Sequence, residues 1–463
     1  MTGAQTPQPD QAPTPYIATT PADRVRMLAR IGAGSIEDLF AALPASVRDP
    51  AISLAPALSE AELVRFFRSR AAENRSSDEL PSFLGAGAYR RNVPAVTAPL
   101  VARSEFATAY TPYQPEISQG TLQAAFEFQS VVCELTGMDV ANTGLYDIGS
   151  ATAEATRLAA RATKRQAVAL VEPLHPHLVD VIRTYAYGGD LRVDVIGDPH
   201  QVGDEHACLV VQQPDFLGGI RDVEPIAAAA HASGALCVVA ADPLALGLLR
   251  APGDAGADVV TGEGRDLAGP PSFGGPSLGL FAAKEDYLRQ MPGRIVGRTK
   301  EVEGPLRADG SRAPARTGYV LTLQAREQFI RRERATSNFS TGQSLIALAF
   351  TISVQALGPQ GLRRQAELCY QKAHDAAERV AALPGYHVVD RGAWFQEFLV
   401  QGPLPAVELR RRAASCSVVA GLDVSDRAEP EATEAILVCV TEATPEEHIV
   451  RLVDVLRTIG EEA

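Results

Sequence analysis

The sequence predicts an α/β protein with a large domain on a mainly parallel sheet over residues 76–355. A smaller α+β domain over 356–463 follows it, and a flexible arm with N-terminal helices over 1–75 precedes it. Three observations carry this prediction. The apolar runs AVALVEP, LRVDVIG, ACLVVQQP, LCVVAAD and ADVVTGEG follow one another in mid-chain, each separated by a plausible helix. Continuous apolar strands alternating with helices imply a parallel sheet covered on both faces. The C-terminal part instead carries strand-like runs near YHVVD, FQEFLVQ and AILVCVTE, with helices between and after. At 463 residues, 46% hydrophobic and 21% charged, the chain has the length and composition of two or three globular domains.

In chain order, the first residues, MTGAQTPQPDQAPTP, are polar and proline-rich, with no basic start before an apolar core. They read as a flexible arm and not as a signal peptide. Helices are predicted from Pro21 to Ile31, in SIEDLFAALP with Ser35 and Asp38 as a capping pair, and from Ser59. This segment, with little chemistry of its own, is expected to pack or to clasp a partner. Ser118 to Thr136 places Leu122, Ala125, Phe126, Val132 and Cys133 at helical spacing and stops at Gly137. SLGLFAA reads as a further strand, GPLRADGSRAPAR (304–316) as a surface loop, and Gln324 to Ala382 as long helices. Thr444-Pro445-Glu446-Glu447 reads as a capping box opening the terminal helix.

A formal charge of -13 argues against nucleic acid or an anionic membrane as partner. No apolar run is expected to span a bilayer. The six cysteines are scattered without metal-ligand spacing, and Cys208, Cys237 and Cys439 lie in apolar runs, which suits buried thiols in a reducing cytosol. A cytoplasmic location and no metal site are expected.

In an open parallel sheet, ligands bind beyond the carboxyl ends of the strands. Asp242 stands there, ending LCVVAAD, either as a cap for a helix that follows Pro243 or facing a ligand. This resembles pyridoxal-phosphate (PLP) enzymes of the aspartate aminotransferase fold, fold type I, in which such an aspartate pairs with the pyridinium nitrogen. Those enzymes hold the cofactor on a lysine between the next strand and a glycine-rich turn. Here the turn is Ser272 to Pro276, and the lysine position falls on Arg265 or Asp266, neither of which can form a Schiff base. Only four lysines exist, Lys164, Lys284, Lys300 and Lys372, and none sits where that amine is expected. Asp147-Ile148-Gly149-Ser150 precedes a helix and either caps it through Ser150 or holds a phosphate at its N-terminus. His175-Pro176-His177 is a turn into a helix, with His175 facing the sheet crevice.

Tyr110, Tyr113, Gln114 and Glu116 crowd a proline-broken stretch before the helix at Ser118, which reads as an active-site or interface loop or as a packed Ω-loop. Arg331, Arg332, Glu333 and Arg334, beside Ser337 and Asn338, form either a solvated helix face or a reach toward an anionic group in a neighbouring chain.

The segment YTPYQPEISQGTLQAAFEFQSVVCELTGMDVAN (110–142) resembles the P-protein family of the glycine cleavage system. So do FLGAGAY, ADPLALGLL, PSFGGPSLGLFA, MPGRIVG and LTLQAREQFIRRERATSN, and the resemblance covers nearly the whole chain beyond the arm. In the two-chain form of that family, subunit 1 (the alpha chain) lacks the PLP lysine and subunit 2 (the beta chain) keeps it, in an α2β2 assembly. The resemblance therefore implies a subunit 1 chain whose partner's lysine carries PLP. With glycine and the lipoylated H-protein, the pair releases carbon dioxide and aminomethylates the lipoyl arm. The candidate residues for shaping an active site or interface are Tyr110, Tyr113, Glu116, Ser118, Tyr146, Asp147, Ser150, His175, Asp242, Arg331, Ser337 and Asn338. Ile148 stands where the family has glycine, and Arg265 where it has glutamine. Two other functions are a structural or docking subunit without site residues, and a stand-alone PLP enzyme using Lys284 or Lys164.

Overall fold

A computed structural model describes residues 16–48, 54–426 and 433–463. The proline-rich stretch 1–15 lies outside the described residues. The chain divides into two compact units, Met1–Asn74 and Arg75–Ala463. In the first, the helix Pro21–Ile31 is closed by Thr20 in a capping box with Asp23 and by Gly32 in the left-handed conformation at φ 83°. Ser35 and Asp38 exchange hydrogen bonds as a capping pair, and the helix Glu60–Ala71 carries a box between Ser59 and Glu62.

The second unit is built on a seven-stranded sheet. Its strands are β1 (Val140–Ala141), β2 (Ala167–Val171), β3 (Arg192–Ile196), β4 (His206–Gln213), β5 (Leu236–Ala241), β6 (Val259–Glu263) and β7 (Gly279–Ala283). Their order is β1-β7-β6-β5-β4-β2-β3, with β7 antiparallel to both neighbours and every other pairing parallel. The five apolar runs of the sequence are β2 to β6. β2, β4 and β5 are buried almost throughout, because helices cover both faces. On one face, Phe128 and Val132 of the helix Gln119–Thr136 and Phe350 of the helix Ser344–Ala381 pack against Val211, Val239 and Val260. On the other, Leu158 and Ile182 from the helices Ile148–Thr163 and Pro176–Tyr187 pack against Leu170, Val210 and Val238.

A hairpin, β8 (Ile295–Lys300) and β9 (Thr317–Thr322), carries the 304–316 loop. The smaller antiparallel sheet has the order β10-β11-β13-β12, with β10 His387–Val388, β11 Glu397–Gln401, β12 Leu422–Asp423 and β13 Ala435–Cys439. Its core joins Phe398, Ile436, Leu452 and Leu456 with Ala373 and Val380 of the long helix. Phe83 is fully buried in the same cluster, so the segment after residue 81 threads along the small sheet before reaching the large one. Gly85 permits this passage, since a Cβ there would fall 2.4 Å from Glu397 Oε1 and 2.6 Å from Cys439 Cβ.

Three local expectations are corrected. Long helices do not begin at Gln324. That region holds single turns, and the helix Gln328–Arg331 stops where Arg332 takes φ 52°, so the long helix starts only at Ser344. That helix is apolar and long enough to cross a membrane by length and composition, which the sequence reading did not expect. It breaks at Gly358-Pro359, and Ala347, Phe350 and Val354 are buried against the sheet. The terminal helix Glu446–Glu461 has no side-chain cap, because Thr444 Oγ1 accepts from the Thr441 backbone 3.0 Å away.

Candidate active-site cleft and a second, open surface

The carboxyl ends of the parallel strands open into a cleft of about 350 Å³. The large sheet contributes His175 after β2, Gln212 near the end of β4, Asp242 after β5, and Glu263, Arg265 and Asp266 at the end of β6. The N-terminus of the helix Ile148–Thr163 brings Asp147, Ile148 and Gly149. Gly87 and Tyr89 close one side, and Gln396 and Glu397 enter from the small domain.

Asp242 performs two tasks. Its Oδ1 accepts from the Leu244 backbone at 2.9 Å, which caps the following turn, and its Oδ2 lies 3.0 Å from Arg91 Nη2. Gln396 Nε2 donates to the same Oδ2 at 3.2 Å. The fully buried Arg91 also donates to Gln396 Oε1 at 2.7 Å and faces Glu442 at 3.5 Å. Burial alone disfavours its charge, but Asp242 and Glu442 outweigh that and hold the guanidinium protonated. Tyr89 donates its hydroxyl to Glu397 Oε2 at 2.8 Å, and its backbone N–H reaches Asp266 Oδ2 at 3.1 Å. Burial pushes the Glu397 carboxyl up to about 7 and raises that of Asp266. Arg265 lies across Asp266, with Nε 3.1 Å from Oδ1, and donates to the Gly87 carbonyl at 3.0 Å.

Asp147 caps the helix Ile148–Thr163, accepting from the Ser150 backbone at 2.7 Å, while Ser150 completes the box from inside the helix. His175 Nδ1 accepts from the His177 backbone at 3.1 Å, which leaves the proton on Nε2, 3.0 Å from the Ala86 carbonyl.

The four lysines lie away from this cleft. Lys284 Nζ is 2.6 Å from Asp258 Oδ1, Lys372 Nζ donates to the Glu442 and Thr444 carbonyls at 2.7 Å, Lys164 ends a helix, and Lys300 ends β8. None lines the cleft.

The remaining residues singled out in the sequence lie outside this cleft. Tyr110 and Tyr113 are 79% and 67% exposed, with ring centroids 6.4 Å apart, and Arg294 lies over Tyr113 at 5.8 Å. Glu116 sits in the turn Pro115–Ile117, and Ser118 opens the next helix without a side-chain cap bond. The Tyr146 ring packs at a tilt of 34° on Phe339, centroids 4.3 Å apart, and its hydroxyl meets Thr341 Oγ1 at 3.4 Å. Ser337 Oγ accepts from the Phe339 backbone at 3.1 Å, Asn338 is exposed, and the exposed Arg331 donates to the Ala325 carbonyl.

Sequence reasoning missed Tyr89, Arg91, Glu263, Gln396 and Glu397 as site residues. The strand-end argument that found Asp242 would also have found Glu263, the last residue of β6. Nothing local marks Arg91, whose partner Asp242 is 151 residues away.

Comparison with known proteins agrees with this architecture. The profile of the family described as "Glycine cleavage system P-protein" matches residues 14–456. "Probable glycine dehydrogenase (decarboxylating) subunit 1" of Thermomicrobium roseum is 46% identical, over 94% of this chain and 97% of that one. The protein of the same description from Desulfitobacterium hafniense is 45% identical, over 95% and 98%. A crystal structure of glycine decarboxylase (P-protein) of the glycine cleavage system, in inhibitor-bound form, superposes with a TM-score of 0.85 at 38% identity, covering 96% of this chain and 100% of that one. A cystine C-S lyase with a TM-score of 0.57 and 14% identity, over 82% and 98%, shares the fold alone. The fold is that of type I PLP enzymes. The chain belongs to the P-protein family of the glycine cleavage system, among the subunit 1 chains of glycine dehydrogenase (decarboxylating).

Proposed function

We propose that this chain is the subunit of a two-chain glycine decarboxylase that does not carry the cofactor and completes the active site of its companion. The observation that carries this reading is the cleft's chemistry: the lysine position holds Arg265 and Asp266, tied to each other, and none of the four lysines lines the cleft. PLP supplies an electron sink when bound, and that role falls to subunit 2, whose lysine holds it. The residues of this chain do not fit the cofactor. Asp242, which would face a pyridinium nitrogen, is already held by Arg91 and Gln396.

The contribution of this chain is to bind and to orient. The exposed Tyr110–Ser118 loop, with Tyr113 beneath Arg294, is the part offered to the companion's site, and its accessibility supports that reading. With glycine and the lipoylated arm of the H-protein, the assembled pair, in an α2β2 arrangement, releases carbon dioxide and leaves the aminomethyl group on the dihydrolipoyl arm. The single chain is inactive.

Borohydride reduction of the isolated chain after incubation with PLP tests the assignment. No lysine is expected to be labelled stoichiometrically. A reduced aldimine on one defined lysine would overturn it.

A further inference from the structure

A missing lysine removes a covalent bond, but it does not by itself close a pocket to a phosphate-bearing cofactor. The end of the cleft where a phosphate would rest is the N-terminus of the helix Ile148–Thr163, since backbone N–H groups and the helix dipole favour an anion there. That position is already filled from within the chain. Glu263 Oε2 lies 3.3 Å from the Ile148 nitrogen, and Oε1 lies 2.7 Å from the Leu278 nitrogen and 3.1 Å from the Arg265 nitrogen. Three backbone donors from three separate segments converge on one carboxylate, as they would on the oxygens of a bound anion. Asp147 adds a second carboxylate at the same helix end, accepting from the Ser150 nitrogen. At the far end, Arg91 and Gln396 hold Asp242.

We infer that Glu263 is a built-in anion occupying the phosphate cradle, so that this cleft excludes PLP and other phosphate-bearing ligands whether or not a lysine is present. Burial disfavours the Glu263 charge, and against the opposing Leu278 and Arg265 backbone donors it leaves the carboxyl raised to about 7. The inference goes beyond the proposed function and does not depend on it. A companion chain fully active alone would refute the subunit role and leave the filled cradle untouched.

The test uses the full chain and inorganic phosphate, with pyridoxamine phosphate as a second probe because it lacks the aldehyde that labels surface lysines. Thermal unfolding of the wild type, Glu263→Ala and Glu263→Gln is compared in phosphate and in chloride at equal ionic strength. The wild-type Tm is expected to be the same in both salts. Glu263→Ala is expected to unfold several degrees lower in chloride, and phosphate restores part of the loss with saturation. Glu263→Gln, whose amide sets donor against donor, shows a smaller rescue. If Glu263→Ala does not fold in chloride, its refolding yield is expected to rise in phosphate. In the Glu263→Ala background, Arg265→Lys or Asp266→Lys binds pyridoxamine phosphate at least tenfold more tightly than the same lysine in the wild-type background. Saturable phosphate binding by the wild type at this cleft would overturn the inference. So would indifference of both Glu263 variants to phosphate.

Discussion

The cleft and the tyrosine surface differ in where their functional groups point. Around the cleft, Arg91 and Glu397 are buried and Tyr89 is half-buried; Tyr89 is bonded to Glu397, Glu397 to the Ala86 backbone and Arg91 to Asp242. On the other surface, Tyr110 and Ile117 are 79% and 80% exposed. One region turns its polar side chains inward onto one another. The other presents aromatic groups to whatever lies outside the chain. The cleft thus turns its polar groups onto one another, whereas the loop at 110–118 exposes its tyrosines.

Removing the buried cation breaks the inward network most severely. Arg91→Met leaves Asp242 and Glu442 facing each other without a counter-charge, and a loss of about 3–5 kcal/mol in unfolding free energy is expected. Chemical denaturation measures it, and a loss under about 1 kcal/mol would show that the network is not a clasp. The outward surface is sharpened by Tyr113→Ala and Glu116→Ala. Each is expected to lower turnover of the assembled pair about 10²-fold, with assembly retained on gel filtration. Unchanged turnover in an intact assembly would favour a scaffold.

A smaller effect separates the regions by pH. The folded Glu397 carboxyl is raised from its ordinary value of 4.5 to about 7, chiefly by burial. Between those values the folded chain binds the proton that the unfolded chain releases. Its stabilisation is complete below about pH 4.5 and is lost as pH rises through about 7, at no more than about 1.4 kcal/mol per pH unit. Glu397→Gln removes this contribution, so the stability difference between wild type and variant should narrow in favour of the variant as pH rises. A difference independent of pH across that window would contradict the buried-acid picture. The smallest effect is expected from Tyr146→Phe, which deletes a 3.4 Å contact with Thr341 and costs about 0.5 kcal/mol or less. A loss as large as that of Arg91→Met would place Tyr146 inside the inward network.

The large sheet was legible because β2 and β4 to β6 are continuous apolar runs ending at Gly, Pro or Asp, and burial on both faces demands that pattern. Asp147, His175, Asp242, Arg265 and Asp266 could be named in advance because each stands at a strand end or helix start facing the crevice. The clasp was illegible for a physical reason. Tyr89 meets Glu397 across 308 residues, and only the threading of the segment after Phe83 along the small sheet brings them together. The capping signal read well at Ser35 and Asp38, which exchange hydrogen bonds, and failed at Thr444, whose hydroxyl is engaged by Thr441.

Glycine-dependent exchange of labelled bicarbonate, run with this chain alone, with subunit 2 alone and with both, addresses the subunit assignment most directly. Exchange is expected only with both chains present, and none with this chain at any PLP concentration. Release of label by this chain alone would contradict the account.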